Sequence, residues 1–504
     1  MSEKRPEHPI DFKKNQEITL TIDDLGTNGE GIGHREGCVF FVAGALPGEE
    51  VKVRIMKMKK RYGYARLLEI VTASSERVEP RCPAARPCGG CTLQHLSYEG
   101  QLAYKEKKIR DCLERIGGVN PRHIEWLPIL GMEDSSKEVS SEGTPSKEAP
   151  PWHYRNKAQF PVRRDKDGNP AAGFFAGHTH NIIPVVSCAI QHPVINEVMK
   201  SVLDFMKEFA IEPYDEEHHS GLVRHLYVRR GYVTGQVMAC LVLNGTSLPH
   251  ADKLIEALTK IDGMTSICLN VNKKQTNVIL GKEMIPLWGP LFIEDNIGDI
   301  RYRISPQSFF QVNPKQTKRL YDTVLSFADL KGTERVWDLY CGIGTISLFL
   351  ASALKKGGQV TGVEIVPEAV ENARENARIN GIQNVSFLCG AAEDVAEEQG
   401  VDVIVVDPPR KGCDAVLLDT MVRMGPERIV YVSCDPATLA RDVKVLGEKG
   451  YRVEKVRGCD MFGQGSGVET VCVLGNKNRK PDDYLRVEID VDRIHEILDE
   501  ERGK

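Results

Sequence analysis

From Gly332 to about residue 475, short apolar runs alternate with amphipathic stretches, and this rhythm constrains the fold more than any other feature of the chain. Arg335-Val336-Trp337-Asp338-Leu339 reads as a strand, followed by a glycine-rich turn and a helix from about Thr345. Val360 to Val363 is the next strand and Pro367 to Asn380 the next helix. Val385 to Leu388, Val401 to Val406 and Ile429 to Val432 read as further strands, with Ala437 to Glu448 helical after them. Strands alternating with helices predict a parallel sheet with helices on both faces. Val453 to Val456 and Val468 to Leu474 form a last strand pair able to close that sheet.

The N-terminal part has a different period. Glu17-Ile18-Thr19-Leu20-Thr21-Ile22 alternates at period two, a turn rich in glycine spans Gly26 to Gly33, and Cys38 to Val42 and Val51 to Ile55 are further strands. Short strands punctuated by glycine suggest a five-stranded barrel of the OB type, a fold that often binds oligonucleotides. From Lys52 to Arg66 there are seven Lys or Arg and no acid, with Tyr62 and Tyr64 interleaved. Cations there could follow phosphates while bases stack on the rings. A solvated basic edge that discourages strand pairing is the plainer alternative.

With 504 residues the chain needs several cores, and domain bounds are expected at 1–75, 76–300 and 301–475, with a polar extension over 476–504 that ends in an amphipathic helix from Ile489 to Leu498. Residues 101–116 read as a helix, and 133–151 as a flexible insertion of Ser, Glu, Lys and Pro with almost nothing to bury. Trp152 to about Ile300 reads as mixed α+β. The charged opening MSEKRPEHPIDFKK has no apolar core of a signal peptide, and no apolar run is long enough to span a bilayer. A cytoplasmic protein without a membrane partner, and a monomer, is expected. The net charge of −5 excludes a uniformly basic nucleic-acid coat and leaves room for a local basic face. Fourteen cysteines in such a chain point to thiols, metal ligands or nucleophiles, not to a disulfide framework.

Asp338-Leu339-Tyr340-Cys341-Gly342-Ile343-Gly344-Thr345 falls at a strand-to-helix turn, where glycines let the backbone approach a ligand closely. Glu364 ends the next strand, where a carboxylate can accept both hydroxyls of a ribose. The third glycine of a dinucleotide motif is missing and no phosphate loop follows, so S-adenosylmethionine, which has a ribose and an adenine but no phosphate, fits better than NAD or FAD. A structural tight turn is the plainer alternative. Asp407-Pro408-Pro409-Arg410 ends another strand on the same side of the sheet, and Arg410 stands where enzymes that methylate amino nitrogens of bases commonly carry an aromatic residue. N-methylation is therefore disfavoured.

Ser433-Cys434-Asp435-Pro436 closes a strand and opens a helix, a place where the helix dipole is expected to lower a thiol pKa. A cysteine nucleophile beside a methyl donor is what methylation of pyrimidine carbon 5 needs. That carbon attacks a sulfonium only after a thiolate has added to carbon 6, and a base must then remove the carbon-5 proton. Glu469, heading a late strand after the GQGSG loop, is the candidate base, and an exposed strand-end glutamate is the alternative.

SPQSFFQVNP (Ser305 to Pro314), DLYCGIGT, DPPRKG, SCDPATLARD and the late VET, with YRNKAQFPV and GLVRHLYVR in the middle, together resemble the RNA 5-methyluridine methyltransferase family over about residues 15–475. The resemblance implies a TRAM barrel that grips RNA, a central α+β iron–sulfur domain and a C-terminal Rossmann-like class I methyltransferase domain. It implies Cys434 as nucleophile, Glu469 as proton acceptor, and Gln311, Tyr340, Glu364 and Asp407 at S-adenosylmethionine. The family loop before the base often reads F-P-x-T-x-H-V-E. Here it is Phe462-Gly463-Gln464-Gly465-Ser466-Gly467-Val468-Glu469, which is expected to be more flexible.

Cys82-x5-Cys88-x2-Cys91 lies in a loop of Pro and Gly, and a tetrahedral site needs one more ligand. By the resemblance that ligand is Cys188 and the group a [4Fe-4S] cluster, with zinc as the competitor. The x5-x2 spacing is not that of radical S-adenosylmethionine enzymes. Iron–sulfur ligands beside a TRAM barrel lean toward 23S ribosomal RNA as partner, with transfer RNA the alternative. A 5-methylcytidine enzyme is the runner-up within the class, disfavoured because the Asp407 strand end carries no Pro-Cys. An iron–sulfur RNA-binding protein without catalysis is the reading from another class.

Overall fold

The computed structural model describes residues 12–132, 152–177, 179, 181–395 and 400–478. The insertion expected at 133–151 and most of the polar extension, with its expected helix, lie outside the described residues.

Strands β1 (Glu17–Leu25), β2 (Gly31–Arg35), β3 (Cys38–Ala43), β4 (Glu50–Met58) and β5 (Tyr62–Thr72) close into a barrel in the order β1-β2-β3-β5-β4. The period-two pattern explains the closure. Ile18, Leu20 and Ile22 of β1 point inward with Phe40, Val42, Val51, Val53 and Ile55, and the residues between them face solvent. The barrel read from the sequence is therefore present.

Helix α1 (Tyr98–Arg115) follows, capped by the Ser97 hydroxyl accepting the Gly100 N–H. It carries Ile109 and Leu113 into the core of the C-terminal domain, and β6 (Glu125–Leu130) pairs in parallel with the last sheet strand but one. Residues 98–130 therefore build the C-terminal sheet, although they precede the central one in the chain. Nothing in their periodicity could assign them to a sheet that forms more than 300 residues later, because pairing partners are not local.

The central unit is a seven-stranded sheet of β7 (Lys157–Arg164), β8 (Pro170–Phe175), β9 (Ile182–Pro184), β10 (Val223–Arg230), β11 (Val237–Leu243), β12 (Met264–Val271) and β13 (Glu283–Trp288). Helices α2 (Pro193–Glu208) and α3 (Ala251–Leu258) bury Ile195, Val202, Leu254 and Leu258 against it. A hairpin of β14 (Ile293–Ile297) and β15 (Ile300–Ile304) leads to α4 (Pro314–Ala328).

The C-terminal domain then alternates β16 (Arg335–Leu339), α5 (Thr345–Ala353), β17 (Gln359–Glu364), α6 (Pro367–Ile379), β18 (Val385–Cys389), α7 (Ala392–Val395), β19 (Val403–Val406), α8 (Ala415–Met424), β20 (Arg428–Ser433) and α9 (Pro436–Glu448). The antiparallel pair β21 (Tyr451–Cys459) and β22 (Glu469–Asn476) follows, giving sheet order β18-β17-β16-β19-β20-β22-β21-β6. Val403, Ile404, Val405 and Val406 are all buried, as a central parallel strand covered on both faces requires. This is the class I methyltransferase arrangement, and the switch in strand order between β16 and β19 opens the crevice where ligands of such sheets bind.

Helix α1 and the C-terminal sheet meet around a buried ion pair. Lys105 Nζ lies 2.5 Å from Asp460 Oδ1, and neither side chain is exposed. Lys105 also donates to Phe462 O at 3.0 Å, and Asp460 accepts the Tyr98 hydroxyl at 2.8 Å. Removing one partner strands the other charge without solvent, so Lys105→Met is expected to destabilise the protein by roughly 3–5 kcal/mol. Urea unfolding measures this.

Candidate active site

The carboxyl ends of β16, β17, β19 and β20 converge on one crevice. At the first of them Asp338 is fully buried, and its Oδ2 accepts the Ser347 hydroxyl at 2.5 Å while Oδ1 has no partner among the described residues. Burial pushes this carboxyl up to about 7. Tyr340 holds φ +65°, a left-handed conformation uncommon for a non-glycine residue and often found where a ligand or mechanism demands it. Gly344, at φ +81°, is costly to replace: a Cβ there would sit 2.9 Å from the Phe387 ring and force a shift. The turn thus brings bare backbone to the crevice.

Glu364 stands at the end of β17, as predicted. Its Oε2 accepts the Gly342 N–H at 3.1 Å and its Oε1 the Val366 N–H at 2.9 Å, so the carboxylate is fixed in place with lone pairs to spare. Ile365 and Val366 beside it are exposed apolar groups at the mouth of the crevice. Gln311 is buried in the loop before α4, where its carbonyl accepts the Asn156 amide at 3.1 Å.

Cys434 and Glu469 are brought together by strand pairing. The β20–β22 ladder runs antiparallel with Ser433 opposite Thr470, so the next step in register sets Cys434 against Glu469. Asp407, one residue past β19, faces the same pair, and Arg410 adds a cation at the rim. Glu469 is buried, and its Oε2 has no hydrogen-bond partner among the described residues. Burial and then the Asp407 carboxylate push it up to about 8, against a smaller opposing pull from Arg410. Asp407 itself is raised by burial to about 7.

The lowered thiol pKa expected from the helix dipole is not what the structure gives. Cys434 precedes Asp435, the N-cap of α9, and burial together with Glu469 and Asp407 pushes its thiol up to about 11. Desolvation and two carboxylates outweigh the dipole, which the Asp435 side chain already meets by accepting from Ala437 and Thr438 N–H.

The GQGSG loop, expected to be more flexible, is held by hydrogen bonds from distant segments. The Gln464 carbonyl accepts Thr92 and Leu93 N–H, both at 2.9 Å, and the Gln464 N–H donates to Gln101 Oε1 at 3.0 Å. The Tyr154 hydroxyl donates to Gly463 O and Lys108 Nζ to Ser466 O. Contacts from α1 and the cysteine loop supply the order that a Pro and a His within the loop would have supplied.

Cys82, Cys88, Cys91 and Cys188 line one cavity of about 330 Å³, together with Arg155 and Lys157. Burial raises Cys88 and Cys188, and pushes Cys91 up to about 12. Among the described residues no group of three His, Cys, Asp or Glu is gathered closely enough to hold a metal ion. On the barrel, Tyr62 and Tyr64 are exposed and pack with Phe41, the three ring centroids lying 5.7–5.9 Å apart beside Arg61. Two cations of the basic run, Lys52 and Arg54, are paired with Glu17.

Asp338 was not among the candidates read from the sequence, although it opens the DLYCGIGT motif; strand periodicity treats it as one more buried position. Gln101 and Lys105 were equally hidden, since they read as ordinary polar residues of an amphipathic helix.

Comparison with known proteins agrees with this geometry. A methyltransferase-domain family model matches residues 330–455, and a TRAM-domain model matches residues 11–68. An uncharacterized RNA methyltransferase of Halalkalibacterium halodurans is 48% identical over 471 residues, covering 92% of this chain and 98% of that protein. Another, from Clostridium tetani, is 47% identical over 471 residues, with 92% and 97% covered. The crystal structure of Pyrococcus abyssi tRNA (uracil-54, C5)-methyltransferase with S-adenosyl-L-homocysteine superposes with a TM-score of 0.70 at 30% identity, covering 91% of this chain and 100% of that one. No helix among the described residues is long and apolar enough to cross a membrane. With its barrel at one end and its methyl-transfer sheet at the other, this chain belongs to the family of RNA methyltransferases that carry a TRAM domain.

Proposed function

We propose that the protein methylates carbon 5 of uracil in a structured RNA, with Cys434 as nucleophile and Glu469 as base. The pairing of Cys434 with a buried, unpartnered carboxylate at the mouth of a methyltransferase crevice carries this reading. The Cys434 thiolate adds to carbon 6 and the electrons of the ring double bond pass to the carbon-5 enolate. S-adenosylmethionine supplies the methyl group, leaving as S-adenosylhomocysteine. Glu469 takes the carbon-5 proton, the double bond re-forms, and the bond from sulfur to carbon 6 breaks. A carboxyl at about 8 holds a proton through much of the neutral range, so Glu469 acts as base only once that proton has left, which the positive charge of the bound sulfonium and of Arg410 favours. Positive charge from the sulfonium and from Arg410 favours the thiolate. Glu364 would hold the donor's ribose, Ile365 its adenine, and Gln311, Tyr340 and Asp407 the rest of the donor.

In this reading residues 1–75 grip RNA, 76–300 carry the cysteine site but lend α1 and β6 to the C-terminal sheet, and 301–475 transfer the methyl group, in a cytoplasmic monomer. Cys82, Cys88, Cys91 and Cys188 would hold a [4Fe-4S] cluster. Four thiols, no carboxylate and two cations around an open cavity suit an anionic cluster. Zinc would need all four sulfurs at about 2.3 Å from one point. The cluster's contribution is structural, since the reaction transfers no electrons. Iron and sulfide analysis with a visible spectrum of anaerobically purified protein checks this, and one zinc per chain without iron would reverse it.

The substrate proposed is 23S ribosomal RNA; the transfer-RNA enzyme among the structural neighbours favours transfer RNA as the second reading. Nucleoside mass spectrometry of both RNAs after incubation with isotopically labelled S-adenosylmethionine decides. Labelled 5-methyluridine in either pool supports the reaction and names the substrate, while labelled 5-methylcytidine or no label overturns it. Tyr64→Ala is expected to weaken RNA binding roughly tenfold through loss of one stacked base, with donor binding unchanged. Fluorescence anisotropy of labelled RNA measures the first and calorimetry the second.

A further inference from the structure

The loop that carries Cys91 and the loop that delivers Glu469 share one hydrogen-bonded knot. Immediately after Cys91, the Thr92 and Leu93 N–H groups both donate to the Gln464 carbonyl at 2.9 Å. From α1 the buried side chain of Gln101 reaches both sides: Nε2 donates to Leu93 O at 3.2 Å, to Leu96 O at 2.9 Å and to Gln464 Oε1 at 3.2 Å. Its Oε1 accepts the Gln464 N–H at 3.0 Å. Gln464 is buried and held at φ +68°, a conformation that a non-glycine residue keeps only when its surroundings fix it. The Cys82 end of the same loop is tied in as well, since its N–H donates to Gln94 Oε1 at 3.1 Å. Only Gly465, Ser466, Gly467 and Val468 separate the knot from Glu469.

We infer that Gln101 and Gln464 form a clamp through which the cysteine site positions Glu469. The inference rests on the role proposed for Glu469. Neither glutamine touches the reacting atoms, so both are positioning residues. The physical reason is local. Pairing of β22 with β20 and β21 sets the strand backbone from Glu469 onward, while the two glycines flanking Ser466 give the segment before it no stiffness of its own, so the way that segment delivers Glu469 depends on what anchors Gln464. The anchors of Gln464 itself are the backbone next to Cys91 and one amide side chain, with Tyr154 and Lys108 holding the carbonyls of Gly463 and Ser466 on either side. A ligand that ties Cys91 to Cys82, Cys88 and Cys188 would hold that backbone still. Without it, the donors of Thr92 and Leu93 can drift and the clamp opens.

The test is amide exchange, read by mass spectrometry on peptides covering 462–470 in the full-length, metal-loaded protein. Gln101→Ala is expected to speed exchange there about tenfold while β16 to β19 stay protected. Cys88→Ser, which does not touch Gln464, is expected to do the same from the other side in the intact clamp. Unchanged exchange in Cys88→Ser overturns the link even if Gln101→Ala folds poorly, and unchanged exchange in a well-folded Gln101→Ala overturns the clamp. Kinetics add a readout that general destabilisation would not give. In Gln101→Ala, kcat falls, KM for the donor holds, and methylated RNA stays bound to Cys434 because the carbon-5 proton is removed late. If Glu469→Gln traps no such adduct, the reading of the reaction fails, and the exchange data still decide the clamp.

Discussion

Cys434→Ala is expected to bring methyl transfer down to background, a loss of roughly 10⁴-fold or more, while S-adenosylmethionine still binds and the protein keeps its melting temperature. Carbon 5 of uracil gains its nucleophilic character only from the adduct at carbon 6, so no neighbouring group can replace the sulfur. Single-turnover transfer from labelled donor measures the first effect and calorimetry of donor binding the second. A variant that keeps even a tenth of the rate would remove Cys434 from the mechanism. The wild-type rate carries a further signature. With the resting thiol pushed up to about 11, the thiolate is scarce at neutral pH, so adduct formation at sub-saturating RNA should rise with pH throughout the neutral range.

That dependence also shows which parts of the site could be read in advance. The sequence is sufficient wherever the determinant is local. Ile18, Leu20 and Ile22 alternate, so a barrel strand follows. Gly342 and Gly344 sit between an apolar run and a helix, so the turn follows, and with it the place of Glu364. The order of the strands puts Asp407, Cys434 and Glu469 on one edge, because the parallel β19 and β20 end on that side and the antiparallel β22 begins there.

What escaped is non-local. The thiol's acidity depends on how deeply Cys434 is covered and on two carboxylates that arrive from β19 and β22. A helix-terminus argument sees only the dipole. The GQGSG loop looked slack because its own residues supply no stiffness, and the hydrogen bonds that order it come from Gln101, Lys105, Lys108, Tyr154 and the Cys91 loop, about 310 to 370 positions earlier in the chain. Likewise β6 joins a sheet whose other strands all lie beyond residue 330. Each miss concerns a contact between distant segments, and period and propensity carry no information about those.

Glu469→Gln is expected to separate the two halves of the reaction. The amide preserves shape but cannot accept the carbon-5 proton, so methyl transfer proceeds once and the enzyme stays joined to methylated RNA through Cys434. Turnover should fall by about 10²–10⁴-fold, the usual worth of a positioned base. A denaturing gel reads the adduct, and a variant with wild-type turnover and no adduct would exclude Glu469 as the base. The same substitution should stabilise the folded protein at high pH. Folding raises this carboxyl from an ordinary 4.5 to about 8, so between those values the folded chain holds a proton that the unfolded chain has released. The stability tied to that proton is fully present below pH 4.5 and is lost as pH rises through 8. The carboxamide of the variant does not titrate and has no such proton to lose. The gap in stability between variant and wild type should therefore widen from about pH 4.5 upward and level off by pH 9, where the variant melts a few degrees higher. A buried carboxyl with one oxygen unpartnered is a poor structural element, and because it is uncomfortable as an anion it regains a proton readily, which is what the step at carbon 5 asks of it once the bound sulfonium has drawn off the resting proton.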